Sequence, residues 1–86
     1  MQQSIDIERD ISTFLVDSFL FGNVQALRRD ESLMGNVIDS SGVVEFVMFL
    51  QEKFAITIDD EEVNQENLDS VSKAAAFVNR KIRSQA

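Results

Sequence analysis

From Val43 to Phe54 the apolar residues return at the intervals of an α-helix. Val43, Phe46, Val47, Leu50 and Phe54 stand at i, i+3, i+4, i+7 and i+11, which places them on one face. A second stripe, Ile7, Ile11, Phe14, Leu15 and Ser18 with Phe19 close by, predicts an amphipathic helix over roughly Ser4 to Leu20. Asp6, Arg9, Asp10, Thr13 and Asp17 fall mostly on its other side. A third stripe, Val71, Ala74, Ala75, Val78 and Ile82, predicts a last helix over roughly Ser70 to Arg83. Asp69 or Ser70 would cap that helix, and Arg80, Lys81 and Arg83 sit near its C-terminus, where cations are favoured. The middle helix would take Asp39 or Ser40 as its cap.

The connections are as telling as the helices. Phe21 to Asp39 keeps no period and is punctuated by Gly22, Asn23, Gly35 and Asn36. It is long for a compact domain, yet it carries Val24, Leu27, Leu33, Met34, Val37 and Ile38. Such a loop is expected to be pinned onto the helices, with room for one short helical turn. Ile56, Thr57 and Ile58 read as an extended link. Asp59 to Asn64 predicts a short third helix, because Asp59 followed by Glu62 resembles a capping box. The expected fold is therefore all-α: a small four-helix bundle with three longer helices, one short third helix and a long loop between helices one and two. The whole chain, 1–86, reads as one domain.

Composition narrows the chemistry. The 86 residues include no Cys and no His. That removes disulfides, thiolate zinc sites, a cysteine nucleophile, the commonest general base and any Ser-His-Asp triad. A net charge of −7 disfavours binding to nucleic acid or to anionic membranes and favours proteins with basic patches. Met1 to Asp10 holds Asp6, Glu8, Arg9 and Asp10 and no apolar core of a signal peptide, and no apolar run is long enough to span a bilayer, so a cytoplasmic location is the expectation. Asp59-Asp60-Glu61-Glu62 fails as an EF-hand loop: Asn64 stands where Gly is needed and Ser70 where Glu is needed. Arg28-Arg29 is too short a basic run to indicate nucleic-acid binding. No metal site and no catalytic residue are expected.

The informative stretch is Asp39-Ser40-Ser41-Gly42-Val43-Val44-Glu45-Phe46-Val47-Met48-Phe49-Leu50, a serine after an aspartate at the start of an amphipathic helix that follows a long loop. With Glu52-Lys53-Phe54, Ile56 to Glu62 and Asn67-Leu68-Asp69-Ser70, it resembles the acyl and peptidyl carrier proteins over nearly the whole chain, most closely from Leu33 to Glu62. The sequence departs from the common pattern at Ser41, where many members have Leu, at Gly42, where a polar or larger residue is commoner, and at Asp59, where Pro is frequent. The Asp-Ser-Ser-Gly-Val variant looks like a subgroup of free-standing carriers served by separate adenylating ligases.

The resemblance implies a stand-alone carrier that catalyses nothing itself. Ser40 would bear a covalent 4'-phosphopantetheine, attached by a phosphopantetheinyl transferase. An adenylating ligase or acyltransferase would load acyl or aminoacyl groups as thioesters, and downstream biosynthetic enzymes would act on them, with the carrier a monomer. A serine at a helix N-terminus agrees with this, because backbone N–H groups and the helix dipole favour a phosphodiester there. Val44 and Met48, an i, i+4 pair off the main stripe, would form an apolar spot rimmed by Glu45 and Glu52, with Asp39 and Ser41 beside it, for docking partners. The phenylalanines Phe14, Phe19, Phe46, Phe49, Phe54 and Phe77 are most simply core, and some would line the space in a carrier that shelters its cargo. A different class fits the same composition: a small acidic helical interaction module with no covalent cofactor.

Overall fold

The computed structural model describes residues 4–23 and 27–85, so Val24 of the expected loop lies outside the described residues. In these residues four α-helices form: α1 (Ser4–Phe19), α2 (Ser40–Phe54), α3 (Gln65–Leu68) and α4 (Val71–Gln85), with a 3-10 turn at Asp60–Glu62. Among the described residues there is no strand, only an isolated bridge between Met34 and Ile38. The three apolar stripes meet in one buried cluster. Ile7, Ile11 and Leu15 come from α1, Phe46, Leu50 and Phe54 from α2, and Val71, Ala74, Ala75, Phe77 and Val78 from α4. Val43 and Val47 lie half-buried at its edge.

Two details differ from the sequence-based expectation. Ser18, placed on the α1 stripe, is exposed, and Val16 is buried instead. The reason is the end of α1. The Val16 carbonyl accepts the N–H groups of both Leu20 and Gly22, each at 3.1 Å, so the chain turns out of the helix and Ser18 lies in the last turn facing solvent. α2 begins at Ser40, and of the two expected caps it is Asp39 that serves, its carboxylate accepting the Gly42 N–H at 2.7 Å. Finally, the short third helix is at Gln65–Leu68, not at Asp59 to Asn64. The capping pattern of Asp59 and Glu62 does form, with the Asp59 N–H donating to the Glu62 carboxylate at 3.0 Å, but it starts a single 3-10 turn. Asn64 then caps a new helix by accepting the Asn67 N–H at 3.0 Å.

Aromatic rings join α1 to α2. Phe14 stacks on Phe49 with centroids 4.1 Å apart, lies parallel to Phe46 at 6.1 Å, and meets Phe19 edge-on at 5.9 Å. Phe14, Phe19 and Phe49 are half-buried, whereas Phe46, Phe54 and Phe77 are buried. α1 makes its most extensive helix contact with α4.

The Ile56 to Ile58 link buries both isoleucines without pairing as a strand. Side chains satisfy its backbone: Gln51 accepts the Ile58 N–H at 2.9 Å, and Gln85 both accepts the Thr57 N–H at 2.9 Å and donates to its carbonyl at 3.0 Å. The following turn is held to α4 by an ion pair of 2.8 Å between Glu62 and half-buried Lys81. The hydrogen bond from Lys81, and after it the one from the Asp59 N–H, hold the Glu62 carboxyl below its ordinary value of 4.5. A folded-state value below the unfolded one means that this contribution is whole above the unfolded value and is lost as pH falls through the folded one. Urea midpoints of wild type and Glu62→Gln should therefore differ most near neutral pH and converge in acid; a gap that persists unchanged in acid would remove the ion pair as its source.

Candidate functional site

The loop from α1 to α2 is pinned, as its apolar residues require. Leu33 and Ile38 are buried, and Leu27, Met34 and Val37 pack at the edge of the core. Arg29 makes a two-pronged contact with Glu8 of α1, both bonds at 2.9 Å, and that hydrogen-bonded guanidinium holds the Glu8 carboxyl below its ordinary range. The Leu33 carbonyl accepts the N–H groups of Asn36, Val37 and Ile38 at 3.1, 2.8 and 3.0 Å, folding residues 33–38 into a tight turn. Gly35 sits in it at φ +84°, a left-handed conformation that suits glycine. Asp39 follows the turn directly, and α2 begins at the next residue.

Ser40 is thus the first residue inside α2, preceded by its cap and exposed to solvent. Its hydroxyl makes no hydrogen bond to the described residues. No acidic side chain lies within the first turn of α2, so the carboxylate at the positive end of its dipole is that of the Asp39 cap, bonded to the Gly42 N–H. Gly42 is buried one step further on. A Cβ there would lie 2.9 Å from the Phe19 ring and 3.2 Å from the Ile38 Cβ. Gly42 is therefore the residue that lets α2 start hard against the end of α1 and the loop.

Val44 and Met48 are exposed, at 59% and 55%, and Asp39, Ser41, Glu45 and Glu52 are exposed around them. The six expected surface residues stand on α2 or its cap, and the structure adds two that the sequence did not single out. Asp60 and Val63 come from the 3-10 turn and line, with Val43, Val44, Val47 and Met48, a groove of about 370 Å³. Their approach depends on the path of the chain after α2, which no local pattern reports.

Ser40 offers an accessible hydroxyl at a helix N-terminus, where backbone N–H groups favour an attached anion. None of the described residues near it is a His or Cys. Among the described residues no cluster of acidic side chains is arranged to hold a metal ion, and no helix is long and apolar enough to cross a membrane. Compared with known proteins, the chain matches no family model, and no curated protein matches it in sequence.

Proposed function

We propose that this protein is a stand-alone carrier that bears 4'-phosphopantetheine on Ser40 and presents acyl or aminoacyl groups to separate enzymes. The observation that carries the reading is the solvent-exposed Ser40 at the first position of α2, held there by the Asp39 cap behind a pinned loop. Attachment forms an ester bond from the Ser40 Oγ to phosphorus and breaks the pyrophosphate bond of coenzyme A. Adenosine 3',5'-bisphosphate leaves, and the hydroxyl proton goes to the transferase. When bound, the group supplies the thiol on which cargo is carried, which a chain without Cys lacks. The chain's own part is to hold Ser40 outward, to favour the phosphodiester with first-turn N–H groups, and to offer α2 as a docking face. Tethering then raises the local concentration of cargo at each partner.

Intact mass after incubation with coenzyme A and a broad-specificity transferase tests this. A gain of one phosphopantetheine, mapped to Ser40, is expected. No gain would favour the other class, an acidic helical interaction module.

The partner face follows from the same reading. Its exposed apolar pair and acidic rim suit a basic transferase or ligase surface with an apolar contact. Glu45→Lys should slow modification by several-fold, as should high salt on the wild type, while stability changes by less than about 0.5 kcal/mol. Met48→Ala should weaken loading with similarly little loss of stability, since the side chain is more than half exposed. Rates indifferent to charge reversal and to salt would eliminate electrostatic steering by this face.

A further inference from the structure

Asp69 stands between α3 and α4, where a carboxylate would ordinarily cap the second helix. It does not cap α4. Ser70 does so, its hydroxyl accepting the Lys73 N–H at 3.1 Å. The Asp69 side chain turns to the loop instead. It accepts the Ser32 hydroxyl on both oxygens, at 2.9 and 2.8 Å, and the Met34 N–H at 2.9 Å. The Asp69 backbone carbonyl accepts the Leu33 N–H at 2.6 Å. Next to these, the Arg29 carbonyl accepts the Ser72 N–H at 2.9 Å, and the Ser72 hydroxyl donates to Asp30 at 2.8 Å. Burial works to raise the Asp69 carboxyl, but the hydrogen bonds from Met34 and Ser32, with the nearby Lys73 charge and the Leu33 N–H, outweigh it and hold the group ionised below its ordinary range.

What these bonds grip is the segment immediately before the tight turn. The Leu33 carbonyl holds three N–H groups of that turn, the Gly35 N–H returns to the Ile38 carbonyl at 2.9 Å, and Ile38 packs where Gly42 leaves no room for a side chain. Asp39 and Ser40 come next. The restraint runs unbroken from α4 through residues 32–38 to the start of α2, each link a hydrogen bond or a packed side chain.

We infer that Asp69 is a positioning residue for Ser40: it latches the loop to the start of α4 and so fixes the turn that delivers the serine to a modifying enzyme. The inference rests on the carrier reading, but its structural half does not. Removing the latch lets residues 32–38 open locally while the helical core stays closed. An enzyme that accepts only the latched form then meets a smaller competent fraction. If that fraction falls to about one tenth, the apparent KM rises about tenfold with kcat little changed.

The test uses the full-length chain, coenzyme A and a broad-specificity phosphopantetheinyl transferase, at a temperature where circular dichroism shows each variant folded. Asp69→Ala should speed hydrogen exchange at the Asn36, Val37 and Ile38 amides and leave Leu50 and Val78 protected. It should raise KM for the carrier about tenfold, and Asp69→Asn, which keeps an acceptor for Met34, should return both readings toward wild type. A role in bulk stability alone would lower the melting temperature and quicken exchange evenly, with KM unmoved; that outcome would overturn the inference and leave the carrier reading intact. Wild-type protein that takes no phosphopantetheine would overturn the carrier reading and this inference with it. Should Asp69→Ala not fold, Ser32→Ala removes the hydroxyl partner alone, and unchanged exchange at residues 36–38 together with unchanged KM would equally overturn the latch.

Discussion

Ser40→Ala protein is expected to take up no phosphopantetheine and to fold like the wild type. The chemical half is absolute, since the hydroxyl is the only atom through which the arm could be joined at that position. The structural half follows from where Ser40 sits. It is inside the first turn, it is exposed, and the cap bond belongs to Asp39 and Gly42, so the change to Ala should alter stability by less than about 0.5 kcal/mol. The rival acceptor is Ser41, also exposed. It lies about 100° further round the helix, and an enzyme that aligns one hydroxyl for in-line attack on phosphorus will not reach the other from the same docked pose. Mass spectrometry of both proteins after the transferase reaction decides the matter. A phosphopantetheine on the Ala variant, or a peptide map placing the arm on Ser41, would mean that the wrong serine has been assigned.

The second large effect is on stability. Phe46 is fully buried on α2, facing Phe14 of α1, and its neighbours in the cluster come from all three long helices. Phe46→Ala removes a fully buried ring from this cluster. Loss of burial together with the cavity left behind should cost about 3–5 kcal/mol. In a domain of this size that is a large share of the roughly 5–15 kcal/mol available, and the melting temperature should fall by on the order of 20 °C. Phe46→Leu, which refills most of the space, should cost much less. Thermal denaturation followed by circular dichroism measures both. A fall of only a few degrees for the Ala variant would show that the centre of this core lies elsewhere.

The helices were legible because their signal is local and repeated. Ile7, Ile11 and Leu15, or Phe46, Leu50 and Phe54, report a buried face from spacing alone. The cap of α2 was narrowed to Asp39 or Ser40, and the structure selects Asp39. What could not be read was anything requiring two distant stretches to meet. The pattern at Asp59 and Glu62 was sound, yet the length of the helix it would start depends on Asn64 competing as a second cap. Asp69 and Ser70 were equivalent as caps on paper. Only the approach of Ser32 and Met34 shows that one carboxylate was surplus to the helix and committed to the loop. The signal was present in that redundancy, because two capping residues in succession leave one free for another partner. In the same way the groove beside Met48 had one wall visible in the α2 stripe and the other, Val63, hidden behind a turn.

The latch also sets where the fold opens first. Its bonds, between residues 35 to 37 positions apart, are exposed or half-buried, whereas the contact of α1 with α4 is sealed in the core. A segment held by a few solvent-accessible bonds opens at a smaller free energy than a packed core. The stretch before Ser40 is therefore expected to let go before the helices do. On the carrier reading proposed above, a chain opened in this way is folded by every helical measure and still a poor substrate for modification.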